Sequence, residues 1–160
     1  MAAVAVTGAT GFIGSAVVRK LALAGRDVRA LVEPGANTKN LDDLGPARIE
    51  RVTVDVCDGP AMERALSGCE ALYHLAAIYK TWLPNPDVLY RVNLEGTTAT
   101  LLAAGKAKVR RIVYTSSIAA VGLREDGRPG DELHTLQKSP PKKKQRRMPN
   151  PKLPLTKQQR

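Results

Sequence analysis

Cysteine is nearly absent: Cys57 and Cys69 are the only two in 160 residues. They form no C-x-x-C pair and have no His/Cys cluster around them, which speaks against a zinc site and against a disulfide framework. No metal is expected, and two reduced thiols suit a cytoplasmic chain. Long apolar runs are missing too. The longest candidate, "FIGSAVVRKLALAG", is broken by Arg19 and Lys20, so no membrane span is expected. No basic segment precedes the first apolar run, so the N-terminus does not read as a signal peptide. Acidic residues are lacking from the last stretch of the chain. From Leu133 onward there are nine Lys and Arg and no Asp or Glu, so most of the net charge of +10 resides there. Residues 1–132 carry sixteen basic and fifteen acidic side chains. A body so close to neutral argues against nucleic acid as a partner, although the tail alone has the cation density for it.

What is present is a regular alternation. "AAVAV" (Ala2–Val6) is a short continuous apolar run, as expected of a buried parallel strand. A helical pattern follows through Ile13, Ala16, Val17, Leu21 and Ala24, and Gly25 suits the residue just past a helix end. Further strands are expected over Asp27–Val32, Ile49–Val56, within "EALYHLAA", and over "RRIVYTSS". Between them come a polar loop with one helical turn near Leu41, a helix capped by Asp58 with Pro60 in its first turn, and a long helix over Pro86–Ala107. Alternating strands and helices predict βαβ units, a parallel sheet with helices on both faces, and the order 3-2-1-4-5. The fold class is therefore α/β, a doubly wound parallel sheet, over residues 1–132. Residues 133–160 hold five prolines and nine cations without an apolar period, and are expected to be disordered.

The segment "TGATGFIG" places glycines at 8, 11 and 14. In that spacing the first permits a tight turn out of the strand, the second lets a pyrophosphate approach the backbone, and the third lets the helix sit close to the sheet. The N–H groups and positive dipole end of the helix then face the phosphates. A strand before and a helix after supply the context that a dinucleotide site requires.

With its flanks, "VTGATGFIGSAVV" resembles the cofactor turn of the extended short-chain dehydrogenases/reductases, the NAD(P)-dependent epimerase/dehydratase family with a Rossmann-type sheet. "DVCD", "YHLAA", "YRVNLEGT" and "IVYTSS" match further family segments in order. "AAIYKTWLPNPDVLYRVNLEGT" is similar to the hopanoid-associated sugar epimerases and dihydroflavonol-reductase-like proteins. The resemblance spans roughly residues 2–132. It implies that Gly8, Thr10, Gly11, Phe12, Ile13 and Gly14 hold the pyrophosphate, and that Asp55 and Val56 contact the adenine. Leu75, Ala76 and Ala77 would line the ribose and nicotinamide side, with Tyr79 and Asn93 nearby. Thr115 and Ser116 would lie beside the nicotinamide, and Ser117 would hydrogen-bond the reacting oxygen of a small-molecule substrate. Asn93 also reads as a satisfied buried amide, His74 as a space-filling strand residue, and Ser116 and Ser117 as capping hydroxyls. Glu33 stands where the reductase-like subgroup usually has Arg. A carboxylate there favours NAD over NADP, because it would repel a 2′-phosphate and could accept from ribose hydroxyls.

One part of the family pattern is missing. The resemblance implies a Tyr four residues before a Lys on the next helix, acting as general acid/base. The tyrosines are Tyr73, Tyr79, Tyr90 and Tyr114, followed four places on by Ala77, Leu83, Leu94 and Ile118. Loss of such a group alone costs about 10²- to 10⁴-fold, so little or no turnover is expected of this chain. Two readings compete with the enzyme: a non-catalytic NAD(P)-binding module or redox sensor, and a nucleic-acid binder acting through its tail. The tail reads best as a foreign continuation after Glu132, ahead of a targeting arm or a solvated extension. The fifth strand is expected to be an exposed sheet edge open to self-association. The family's usual dimer, through the Asn93 helix and the one after it, has only its first helix here.

Overall fold

The computed structural model of the chain describes residues 2–45, 48–80 and 82–117, with the single positions 120, 124 and 128. The expected disordered tail and the boundary at residue 132 lie outside the described residues. The chain divides into two compact units, Met1–Thr115 and Ser116–Arg160. The first contains all of the sheet.

Five strands, β1 (Ala3–Thr7), β2 (Val28–Val32), β3 (Ile49–Thr53), β4 (Cys69–His74) and β5 (Arg111–Tyr114), form one parallel sheet in the order β3-β2-β1-β4-β5. This is the predicted order. The predicted Rossmann-type α/β class holds with it. The strands are fed by α1 (Phe12–Leu23), a 3₁₀ turn at Lys39–Leu41, α2 (Gly59–Leu66), and a continuous helical run. That run comprises α3 (Asp87–Tyr90), a π-helical stretch (Arg91–Gly96) and α4 (Thr97–Lys106). Asp58 caps α2 by accepting from the Ala61 amide at 3.0 Å, a contact worth about 1 kcal/mol.

Two apolar layers hold the sheet. On one face Ala5, Leu31, Met62, Leu66, Leu72, Ala103 and Ala104 pack the sheet against α2 and α4. On the other, Val6, Ala9, Val18, Val28, Ala30 and Leu41 pack it against α1 and the 3₁₀ turn.

The structure differs from the sequence reading in three places. Strand β3 stops at Thr53 rather than Val56, because the Asp55 carboxylate accepts from the Cys57 amide (2.9 Å) and turns the chain toward α2. Strand β5 is shorter than "RRIVYTSS", ending at Tyr114, level with the end of its partner β4 at His74. The buried face of α1 is Gly14, Ser15 and Val18, while Ile13 and Ala16 face outward. The cause is the close seating of Gly14 described next.

Candidate functional site

The glycine turn is built by contacts that leave no room for a side chain. Gly8 has φ +65°, and a Cβ on it would lie 2.9 Å from the Ala76 amide nitrogen. A Cβ on Gly14 would lie 1.9 Å from the Gly8 carbonyl oxygen, so α1 starts almost on top of the strand end. The Gly11 amide donates to the Gly8 carbonyl (3.0 Å) and the Ser15 amide to the Gly11 carbonyl (2.9 Å). Gly11 is the N-cap, and no side chain caps the helix. The amides of Phe12, Ile13 and Gly14 fall among the N–H groups that a helix cannot satisfy internally. Phe12 and Ile13 are 92% and 59% exposed, and neither is among the residues lining the cleft described below.

A buried hydrogen-bond network fixes the opposite wall. Thr7 Oγ1 accepts from the amides of Leu75 (3.1 Å) and Ala76 (3.2 Å) and lies 2.8 Å from His74 Nδ1. Two amide donors occupy its lone pairs, so its own hydrogen goes to Nδ1. The ring proton of His74 then resides on Nε2, which donates to Thr97 Oγ1 at 3.1 Å. His74 is 1% exposed, and burial pushes its pKa down to about 4, so the ring is neutral at physiological pH. It ties β1, β4 and the long helical run together. Sequence reading gave His74 a space-filling part and missed its two threonine partners, which are distant along the chain.

Asn93 lies in the π-helical stretch, a feature often found at functional positions. Its Oδ1 accepts from the Ile78 amide (2.7 Å) and its Nδ2 donates to the Ile78 carbonyl (2.9 Å). Both ends of the amide are engaged with one backbone residue. Asn93 therefore anchors the segment after β4.

Between these walls lies a cleft of about 220 Å³. Of the residues singled out from the sequence, Gly8, Thr10, Gly11, Glu33, Asp55, Val56, Leu75, Ala76 and Ala77 line it. Leu31, Val54, Ile78 and Val92 line it as well. None of these four was singled out. Leu31 lies in β2 and Val54 directly after β3, and the apolar character of both reads only as core. Val92 has a signal available, as the neighbour of Asn93. Tyr79 does not line the cleft and is 95% exposed. Thr115 donates its amide to the His74 carbonyl (3.1 Å). Ser116 and Ser117 are exposed and belong to the second unit, in which the Ala120 amide donates to the Ser117 carbonyl (2.9 Å). Among the described residues no group of His, Cys, Asp and Glu could hold a metal, and no helix is long and apolar enough to cross a membrane.

The open helix start, the close-packed glycines of the turn and the Glu33 carboxylate just after β2 give the cleft N–H donors at one end and a hydrogen-bond acceptor at the other, a donor set that could hold a dinucleotide. Comparison with known proteins agrees in kind. The model of the 3-beta hydroxysteroid dehydrogenase/isomerase family matches residues 5–148. A putative dihydroflavonol 4-reductase of Synechocystis is 43% identical over 129 residues, covering 81% of this chain and 36% of that protein. Among solved structures, the protein named gox2253 is 42% identical with TM-score 0.75, over 86% of this chain and 41% of that one. A dTDP-glucose 4,6-dehydratase from Streptomyces venezuelae, solved with NAD bound, is 29% identical with TM-score 0.68, over 76% of this chain and 41% of that one. The chain thus spans well under half the length of each of these relatives.

Proposed function

Because this chain belongs to the 3-beta hydroxysteroid dehydrogenase/isomerase family, within the extended short-chain dehydrogenases/reductases, we propose that it is the NAD(P)-binding part of a dihydroflavonol-type reductase or nucleotide-sugar epimerase/dehydratase. The observation that carries the reading is the uncapped start of α1, set in a turn with no room for side chains at Gly8 and Gly14 and opening on a cleft. The pyrophosphate is held by Gly8, Thr10 and Gly11 and by the amides of Phe12, Ile13 and Gly14. Asp55 and Val56 flank the adenine, and Glu33 accepts from the adenosine ribose. Leu75, Ala76 and Ala77 form the wall toward the nicotinamide. When bound, the nicotinamide supplies or accepts a hydride; Ser117 is the hydroxyl that would hold a reacting substrate oxygen.

Glu33 favours NAD over NADP on electrostatic grounds. The sequence holds no Tyr-x-x-x-Lys pair, so the 160-residue chain binds cofactor without completing turnover. The same absence favours a second reading, a non-catalytic NAD(P)-binding module. Titration of the purified chain with NADH and NADPH, followed by fluorescence or calorimetry, tests the first reading. Saturable binding with NADH tighter is expected, and failure of both to bind would overturn it. Measurable reductase or epimerase turnover would overturn the statement on activity. A large difference in Kd between NAD⁺ and NADH would favour the sensor.

A further inference from the structure

The loop between β2 and β3 is fastened to the glycine turn by side chains that the dinucleotide reading leaves without a part. Arg19, about two turns into α1, forks onto the Asp43 carboxylate, with Nη2 2.6 Å from Oδ1 and Nη1 on Oδ2. The same Nη2 donates to the Asn40 carbonyl at 2.9 Å. The hydrogen bond from Arg19 holds the Asp43 carboxyl below its usual range, so the pair is charged. Asn40 in turn reaches across to the turn, where its Nδ2 donates to the Thr10 carbonyl at 2.8 Å.

Residues 37–42 of the loop are braced as well. Leu41 is fully buried in the α1-side core. Arg51 on β3 donates to the Leu41 carbonyl and pairs with Asp42 at 3.2 Å. The Asn37 side chain accepts from the Lys39 amide at 3.0 Å.

The consequence lies in one peptide plane. The peptide joining Thr10 to Gly11 has its carbonyl held by Asn40 and its N–H held by the Gly8 carbonyl (3.0 Å). This plane immediately precedes the open amides of Phe12, Ile13 and Gly14. We propose that Asn40, held in place by Arg19, is a positioning residue for the pyrophosphate-binding turn, fixing the Thr10–Gly11 peptide so that the amides at the start of α1 are aligned before the dinucleotide arrives. The inference rests on the dinucleotide reading of the cleft. It adds a residue outside the glycine motif on which phosphate affinity depends. Without the bond the peptide can rotate, and binding must order it.

The test uses the full chain and three probes, NADH, ADP and adenosine, with Asn40→Ala and Arg19→Gln. Asn40→Ala is expected to raise the Kd for NADH and for ADP about five- to tenfold, the loss of one hydrogen bond. Adenosine, which has no phosphate, should bind within about twofold of the parent chain. Arg19→Gln should shift the same two Kd values in the same direction by less. Asn40 is exposed, so its truncation should leave the thermal unfolding midpoint nearly unchanged. Equal NADH affinity in Asn40→Ala and the parent would overturn the proposal while leaving the dinucleotide reading intact. So would an equal loss for adenosine and ADP. If the parent chain bound none of NADH, NADPH and ADP, the dinucleotide reading would fall and this proposal with it.

Discussion

Strands β1 and β5 belong to one sheet and have opposite surroundings. In β1, Val4, Ala5, Val6 and Thr7 are between 0% and 2% exposed, with β2 on one side, β4 on the other and a core layer on each face. In β5, at the end of the order, Ile112, Val113 and Tyr114 are 41–49% exposed. Parallel strands normally need cover on both faces. The sheet is enclosed at β1 and half exposed at β5. The difference shows that the glycine turn rests on the enclosed centre of the sheet. The contacts that hold the glycine turn lie within residues 7–97.

The strongest way to break the comparison is to make the centre as loose as the edge. Gly14→Val places a side chain against the Gly8 carbonyl. It should destabilise the fold by about 3 kcal/mol and abolish NADH binding, read by urea unfolding and fluorescence titration. Acid should act almost as strongly on the same region. The folded pKa of His74 is about 4 against 6.5 unfolded. The unfolded chain therefore takes up the proton first. The contribution is complete above pH 6.5 and is lost as pH falls from there toward 4, by about 3 kcal/mol at the limit. Urea midpoints measured across that range should fall, and His74→Asn should flatten the profile.

Smaller changes sharpen the contrast. Asn93→Leu removes both bonds to Ile78 and leaves that backbone pair without its partner. A loss of about 2 kcal/mol is expected, with weaker NADH binding. Glu33→Arg should move the ratio of NADPH to NADH affinity about tenfold toward NADPH, in keeping with the charge-assisted bonds that Arg makes to phosphate. A ratio unchanged by that substitution would place Glu33 away from the ribose. The smallest effect on stability belongs to the edge. Val113→Lys should change unfolding by less than about 0.5 kcal/mol. A charge on an edge strand also opposes edge-to-edge pairing, so any self-association seen by sedimentation should weaken.

The residues that stand close in sequence were legible from it. The G-x-x-G-x-x-G spacing between a strand and a helix announced the turn, because each glycine answers to a local demand. The strand order followed from the alternation of elements and the handedness of crossovers. The segments holding Asp55 and Leu75–Ala77 were legible through their resemblance to a family. The outward direction of Ile13 was not, since helical periodicity does not tell which face a neighbouring carbonyl will force inward. Neither was the end of β3, which is decided by one carboxylate turning back on its own backbone.

Composition, glycine spacing and the order of apolar runs were enough to determine an α/β sheet with a tight glycine turn between its first strand and first helix. They also determined that no Tyr-x-x-x-Lys pair is present. Only the tertiary structure decided how that turn is held. Thr7, His74 and Thr97 meet across β1, β4 and α4, Asn93 closes on Ile78, and Arg19 reaches Asn40 and through it Thr10. The physical reason is that hydrogen bonds are directional and short-ranged. A pattern along the chain can say which residues are polar, but only the packing of strands and helices brings each donor to its acceptor.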